Sequence, residues 1–279
     1  MSRSKGGKKD RRYHCNKINI GDKGKEVVES INDSSLVVKQ FRTYAAELDD
    51  KHDRYERIVK ISRDITIESK RIIFLLHTID RESKQESILH ESKVRLQTVA
   101  QNLFKCIALE LENQHAYQYL NAYRAGLEEY IEAITFYQYL HEGDVEHWTE
   151  LEKKFIYTIS EKSENKTLST LITPYEFILG IADLTGELMR NCINNLATGD
   201  ISSCYQTCNF VRNMYKGFLG FTSVSNKEMN RKLYTLKQSV QKMENVCYTI
   251  KVRGSEIPKH ILVDVATKDY TENNEEYLS

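Results

Sequence analysis

Proline is almost missing from this chain: Pro174 and Pro258 are the only two in 279 residues, beside twelve glycines. A fold of many strands needs a turn roughly every ten residues, built largely from Gly, Pro, Asn and Asp. That scarcity excludes a strand-rich fold and points to long helices joined by short loops. Apolar runs are equally sparse. The longest, Ile72 to Leu76, is five residues, against the roughly 18 of a membrane-spanning helix, so no membrane association is expected. The basic start has no apolar stretch behind it and does not read as a secretory signal. The cysteines at 15, 106, 192, 204, 208 and 247 show no framework spacing, so reduced thiols of an intracellular protein are expected.

Catalytic motifs are missing too. There is no GxxxxGK[ST] or GxGxxG loop, no GxSxG and no HExxH, which removes the usual nucleotide-binding, serine-hydrolase and zinc-protease chemistries. Cys204 and Cys208 have helical spacing but no second pair, which makes a poor zinc site. Glu112 and His115 form a Glu-x-x-His pair with no second copy on another expected helix, which removes a di-iron bundle.

Net charge is zero but unevenly spread. Residues 1–25 carry nine Lys and Arg against two Asp, and residues 255–279 carry six acids against two lysines, leaving −3 between them. A mildly acidic body argues against a chain that grips a polynucleotide alone, since phosphate contacts dominate that affinity. Residues 1–33 read as a disordered basic tail with Lys8-Lys9 and Arg11-Arg12 available to a nuclear importer, and residues 255–279 as a flexible acidic tail.

What the chain does have, over residues 34–254, is helical periodicity. Tyr55, Ile58, Ile65, Ile72, Leu76 and Ile79 predict a helix from Ser34 to about Asp80, with Asp49, Asp50 and Asp53 marking either a kink or a wet face. Val94, Val99, Leu103, Ile107 and Leu111 predict a second from about Glu86 to Glu112. A third is expected over His115–Leu140, a shorter piece over Trp148–Ile159, then a polar loop to Leu171. Thr173-Pro174-Tyr175-Glu176 is a helix start, with Thr as N-cap and Pro in the first turn, opening a helix to about Ala197. Helices near 201–218 and 226–251 complete an all-α single domain of about seven helices.

Carboxylates carry the remaining chemistry. Glu129 and Glu132 are three apart on one helix whose main apolar face is Leu127, Tyr130, Ile131 and Ile134; Glu129 lies on a side shared with Ala122, Ala125, Ala133 and Phe136, with Glu132 between. Arg124 and Glu128 read as a solvent-exposed pair on another side. Asp183 and Glu187 lie one turn apart, on a stripe with Gly180, Arg190, Asn191 and Asn194; by pattern alone this is the polar face of an amphipathic helix. Gly180 and Gly186 would let a backbone or substrate approach. Two helices each offering carboxylates a turn apart can build a metal site in a bundle, and oxygen-only donors favour Mg²⁺ or Mn²⁺ over zinc. Whether the two helices face each other is not readable from the pattern.

Three stretches make the chain resemble the translin-associated factor X family. They are Lys51-His52-Asp53-Arg54-Tyr55-Glu56-Arg57-Ile58 with Ser62-Arg63-Asp64-Ile65-Thr66 and Glu68-Ser69-Lys70-Arg71; Gly126-Leu127-Glu128-Glu129-Tyr130-Ile131-Glu132-Ala133; and Ala182-Asp183-Leu184-Thr185-Gly186-Glu187-Leu188-Met189-Arg190. The similarity is collinear over roughly residues 34–254. It implies a translin-like helical bundle that assembles with translin into a closed hetero-oligomer, also called component 3 promoter of RISC. It implies an Mg²⁺-dependent endoribonuclease subunit that cuts single-stranded RNA, including nicked passenger strands of small interfering RNA and tRNA precursor fragments, in cytoplasm and nucleus. By position the resemblance puts catalytic acids at Glu129, Glu132 and Asp183, with Glu187 as a further metal ligand and Glu128 outside the set. The alternative is a non-catalytic partner that stabilises or relocates translin.

Overall fold

The computed structural model describes residues 35–79, 82–161, 164–221 and 227–253, with Gly24 besides. The segments read as tails, 1–33 and 255–279, otherwise lie outside the described residues. The chain divides into two compact units, Met1–His52 and Asp53–Ser279. Of the first, the main described part is a helical stretch from Leu36 to His52 whose side chains are almost all exposed, Asp49 and Asp50 among them. The second holds the core.

Helix α1 is Leu36–Leu76, one helix of 41 residues. Then come α2 (Glu82–Thr98), a π-helical turn (Val99–Phe104), α3 (Lys105–Glu110), α4 (Ala116–Glu142) and α5 (Trp148–Lys154). A two-stranded antiparallel hairpin follows, β1 (Ile156–Glu161) with β2 (Glu164–Ser169). The chain continues through α6 (Pro174–Thr198), α7 (Ile201–Leu219) and α8 (Lys227–Arg253). The fold is all-α, as the proline and glycine count predicts, with one small hairpin added. Among the described residues no helix is long and apolar enough to cross a membrane, and five cysteines are free thiols.

The core repeats of α1 are heptad-like. Ile58, Ser62, Ile65, Ser69, Ile72 and Leu76 are all buried, an alternation of four- and three-residue steps that keeps one stripe against its neighbours. The serines are the small members. A Cβ on Gly126 of α4 would come within 2.6 Å of the Ser62 carbonyl oxygen, and the Gly126 amide donates to Ser62 Oγ at 3.2 Å. Helices α4 and α6 meet in the same way: a Cβ on Gly180 would lie 2.6 Å from Ile131 Cβ and 3.0 Å from the Glu128 carbonyl oxygen. Gly186 has open space around its Cα, so of the two glycines expected to admit a backbone, Gly180 alone does so.

Three expectations change here. The short helix ends at Lys154 rather than Ile159, and the polar loop is strand. The alternation of buried Tyr157 and Leu168 with exposed Thr158 and Thr167 is a half-buried β pattern, and β-branched Ile156, Thr158, Ile159 and Thr167 suit it. The second helix changes phase at the π turn. Val94 is 47% exposed while Leu89 and Leu96 are buried, and beyond the extra residue of the turn Phe104 takes the buried place expected of Leu103. The hairpin and the π turn stabilise each other. Tyr130 Oη, Tyr157 Oη and Thr170 Oγ1 donate to the carbonyl oxygens of Leu96 (3.2 Å), Ala100 (2.8 Å) and Phe104 (2.8 Å), so carbonyls at a distorted turn stay paired.

Gly180→Ala must push α6 off α4 and is expected to destabilise by about 1–3 kcal/mol, as overpacking does. Gly186→Ala fills open space in a helix interior and is expected to stabilise by up to about 1 kcal/mol. Urea unfolding of both variants checks this; a Gly180→Ala protein as stable as the parent contradicts the close approach.

Candidate functional site

The α4–α6 contact brings the sequence-predicted acids together. Glu129 and Glu132 come from α4, Asp183 and Glu187 from α6, and Glu132 feels the fields of the other three. Around them, α1 contributes Lys70, the turn just after it contributes His77, and α8 contributes Lys232. Helix α6 is fixed locally at its start. The Thr173 side chain caps α6 by accepting from the Tyr175 amide at 3.2 Å, and donates to the Glu176 carboxylate.

Three acids have basic partners. Lys70 Nζ lies 2.7 Å from Glu129 Oε1, and is itself 61% exposed. Lys232 Nζ, on a buried side chain, donates to Asp183 Oδ2 at 2.6 Å, to Glu128 Oε2 at 2.6 Å and to the Leu179 carbonyl at 3.1 Å. His77 Nε2 lies 2.5 Å from Glu187 Oε2, and Arg190 reaches the same oxygen at 3.0 Å. The carboxylate of Glu132, which is partly buried, has no hydrogen-bond or ion-pair partner among the described residues.

Protonation follows from those surroundings. Loss of solvent, then the fields of Asp183, Glu129 and Glu187, push the Glu132 carboxyl up to about 8, with Lys70 opposing. Burial raises Glu128 by more than its Lys232 partner lowers it. For Lys232, burial works against the charge, but hydrogen bonds to Asp183 and Glu128 outweigh it and the ammonium titrates above its ordinary value. Burial alone would raise Glu187; the hydrogen bond with His77 and the charges of Arg190 and Lys70 leave it below the usual carboxylate range.

Glu128 corrects the sequence reading. It is 9% exposed and bonded to Lys232, not paired with Arg124 in solvent. Arg124 instead reaches the buried Glu176 carboxylate at 3.0 Å. The helical-wheel reading assigned Glu128 to a wet face because it could not see α8 arriving there with a cation. His77 and Lys232 were missed for the same reason: each is distant in sequence from the acid it holds.

As a donor set, four carboxylates from two helices fit a hard cation in chemistry, oxygen only and with excess negative charge. In the arrangement shown, no three His, Cys, Asp or Glu side chains among the described residues group so as to hold an ion. Glu129, Asp183 and Glu187 are each engaged by a basic side chain, and Glu132 is left uncompensated. Next to this cluster, beyond His77, opens a cleft of about 740 Å³.

A translin family profile matches residues 53–254. Translin-associated protein X of Pongo abelii is 44% identical over 250 residues, 85% of this chain and 86% of that protein. The solved structure of apo-NeC3PO superimposes with a TM-score of 0.54 at 20% identity, covering 73% of this chain and 93% of that one. The AfC3PO–duplex RNA complex gives 0.53 at 20% identity, covering 83% and 98%. At that identity the two structures carry the helical fold alone.

Two stability outcomes follow. Below about pH 4.5 Glu132 is protonated in folded and unfolded chains alike. From there towards pH 8 the unfolded chain gives up the proton while the fold keeps it, so stability drains away as pH rises. Glu132→Gln, fixed in the neutral form, should therefore gain on the parent as pH rises, by about 2–4 °C in Tm at pH 8 and by less at pH 5. Equal gains at both pH values contradict the raised carboxyl. Lys232→Met leaves Glu128 buried beside no cation and should cost about 3 kcal/mol or more in chemical unfolding; a cost near zero contradicts the buried Lys232–Glu128 bond.

Proposed function

This chain belongs to the translin family, and from that premise we propose that it is the metal-dependent endoribonuclease subunit of a hetero-oligomer with translin, cutting single-stranded RNA. The observation that carries the reading is Glu132: a carboxylate without a cation, facing three others, in a cluster whose donors are all oxygen. The similarity to translin-associated protein X and the RNA-bound C3PO complex with the same fold support it.

Glu129, Glu132, Asp183 and Glu187 would hold Mg²⁺ or Mn²⁺, which when bound lowers the pKa of water and stabilises charge on a phosphoryl oxygen. The chain's own residues do the rest. Lys70 is exposed, so it can leave Glu129 and meet an incoming phosphate. Lys232 has three fixed partners and keeps Asp183 oriented toward the acids of α4. The His77 contact orients Glu187 in the same way. The mildly acidic body assigns the basic RNA-holding surface to translin, with this chain supplying the cut. Passenger-strand and tRNA precursor fragments, in cytoplasm and nucleus, are the proposed substrates and setting.

One observation favours the alternative of a non-catalytic partner: three of the four acids already have basic partners, and Glu128–Lys232–Asp183 has the character of a buried structural bond. Cleavage separates the readings. Assembled with translin, the parent should cut labelled single-stranded RNA with Mg²⁺ and not with EDTA, and Glu132→Gln should lose about 100-fold or more in rate while assembling normally. Undiminished cleavage by that variant contradicts the catalytic reading.

A further inference from the structure

The polar stripe of α6 does not end at the acids. Asp183 and Glu187 are followed on the same face by Asn191 and Asn194, and those two side chains line the cleft of about 740 Å³. Gln85, beyond α1, and Gln206, on α7, line it as well. Among the described residues the side chains of Gln85, Asn191, Asn194 and Gln206 hold no hydrogen bond, so four amides turn both donors and acceptors to solvent in one recess. Tyr139 adds an aromatic wall, held by its hydroxyl donating to Thr207 Oγ1 at 2.9 Å and by its ring against Phe210, centroids 4.8 Å apart.

Charge decides what the cleft is suited to. No Lys or Arg lines it, and its one acid, Asp200, is already engaged by the Ser203 amide and hydroxyl at 3.1 and 2.5 Å. It is therefore no phosphate cradle. Its chemistry is that of a neutral, planar group with both donors and acceptors on its edge and a face to stack. The partition between cleft and acids is His77, which lines the cleft, holds Glu187 through Nε2, and packs on Phe136 with centroids 4.8 Å apart. Its buried Nδ1 has no hydrogen-bond partner among the described residues, a cost that native structures usually avoid. From Glu187 to Asn191 and Asn194 is about 6–10 Å along the helix, comparable to the length of a nucleotide unit.

We propose that this amide-lined cleft is the seat of an unpaired nucleobase of the RNA, the one flanking the bond presented to the acids. It rests on the reading of the acids as an RNA-cutting site, and gives that site a means of requiring single-stranded substrate: a paired base has no free edge to offer.

The test is binding, by fluorescence anisotropy in EDTA, of the chain assembled with translin to a single-stranded RNA and to its abasic counterpart of equal length and charge. The variant is Asn194→Ala/Gln206→Ala, both exposed residues whose loss leaves the fold intact. The parent should bind the base-bearing RNA more tightly than the abasic one, and the variant should lose about tenfold on the base-bearing RNA with no change on the abasic one. Unchanged affinity of the variant for the base-bearing RNA overturns the proposal. So does an equal loss on both RNAs, which would mean backbone contact, and so does a variant altered in assembly with translin but not in RNA binding, which would make the cleft a protein contact. With EDTA present the readout is independent of cleavage. An assembly that binds base-selectively but never cuts RNA would sink the ribonuclease reading and leave the base seat standing.

Discussion

One ammonium buried between carboxylates of two helices sets the geometry of the site. Lys232 of α8 joins Glu128 of α4 to Asp183 of α6, and removing it would leave a buried charge without compensation. The triad works only because Gly180 lets α6 come against the Glu128 turn of α4. With that contact made, Glu132 necessarily faces Asp183 and Glu187, and its carboxyl is raised. The raised carboxyl of Glu132 is thus a consequence of packing, and that packing is held by the Lys232 bond.

The cluster is poised between two states of compensation. Two of its cations are lysines, Lys70 exposed with a single contact and Lys232 buried with three. A hard divalent ion among the acids would compete with Lys70 first, since that lysine is exposed and makes one contact, while Lys232 makes three. A site whose resident cation can swing aside for a stronger one, and then meet a phosphate, suits a reaction that gathers negative charge. The same face of α6 runs from acids to amides, so charge handling and base reading share one rigid element.

Much of this was legible in the sequence. Two prolines and twelve glycines predict the long helices, and Thr173 and Pro174 place the start of α6 where it is found. Glu129 and Glu132 are noticeable on a helix with few charges, Asp183 and Glu187 read by pattern as a polar face, and it is the resemblance that puts the four in one set. What the pattern hid is what tertiary contact decides. Glu128 reads as solvent-facing because a helical wheel knows nothing of Lys232, 104 positions later. Nothing in the pattern singles out His77, whose partner Glu187 is 110 positions away. The hairpin over Ile156–Ser169 is a short alternating stretch beside a long helical pattern, and its reason for existing, the carbonyls of a π turn, is invisible until the π turn is seen. Gly180 and Gly186 look alike in the sequence, and only contact with Ile131 tells them apart.

Glu132 lacks a cation, and the four acids together can hold one. The most direct measurement is the Tm of the chain assembled with translin, titrated with Mn²⁺ at pH 7.5, for the parent and for Glu132→Gln. A saturable rise in the parent that is largely absent in the variant is the predicted result, because binding to the folded state stabilises it by mass action and the variant has lost the uncompensated donor. The same rise in both proteins would contradict the account.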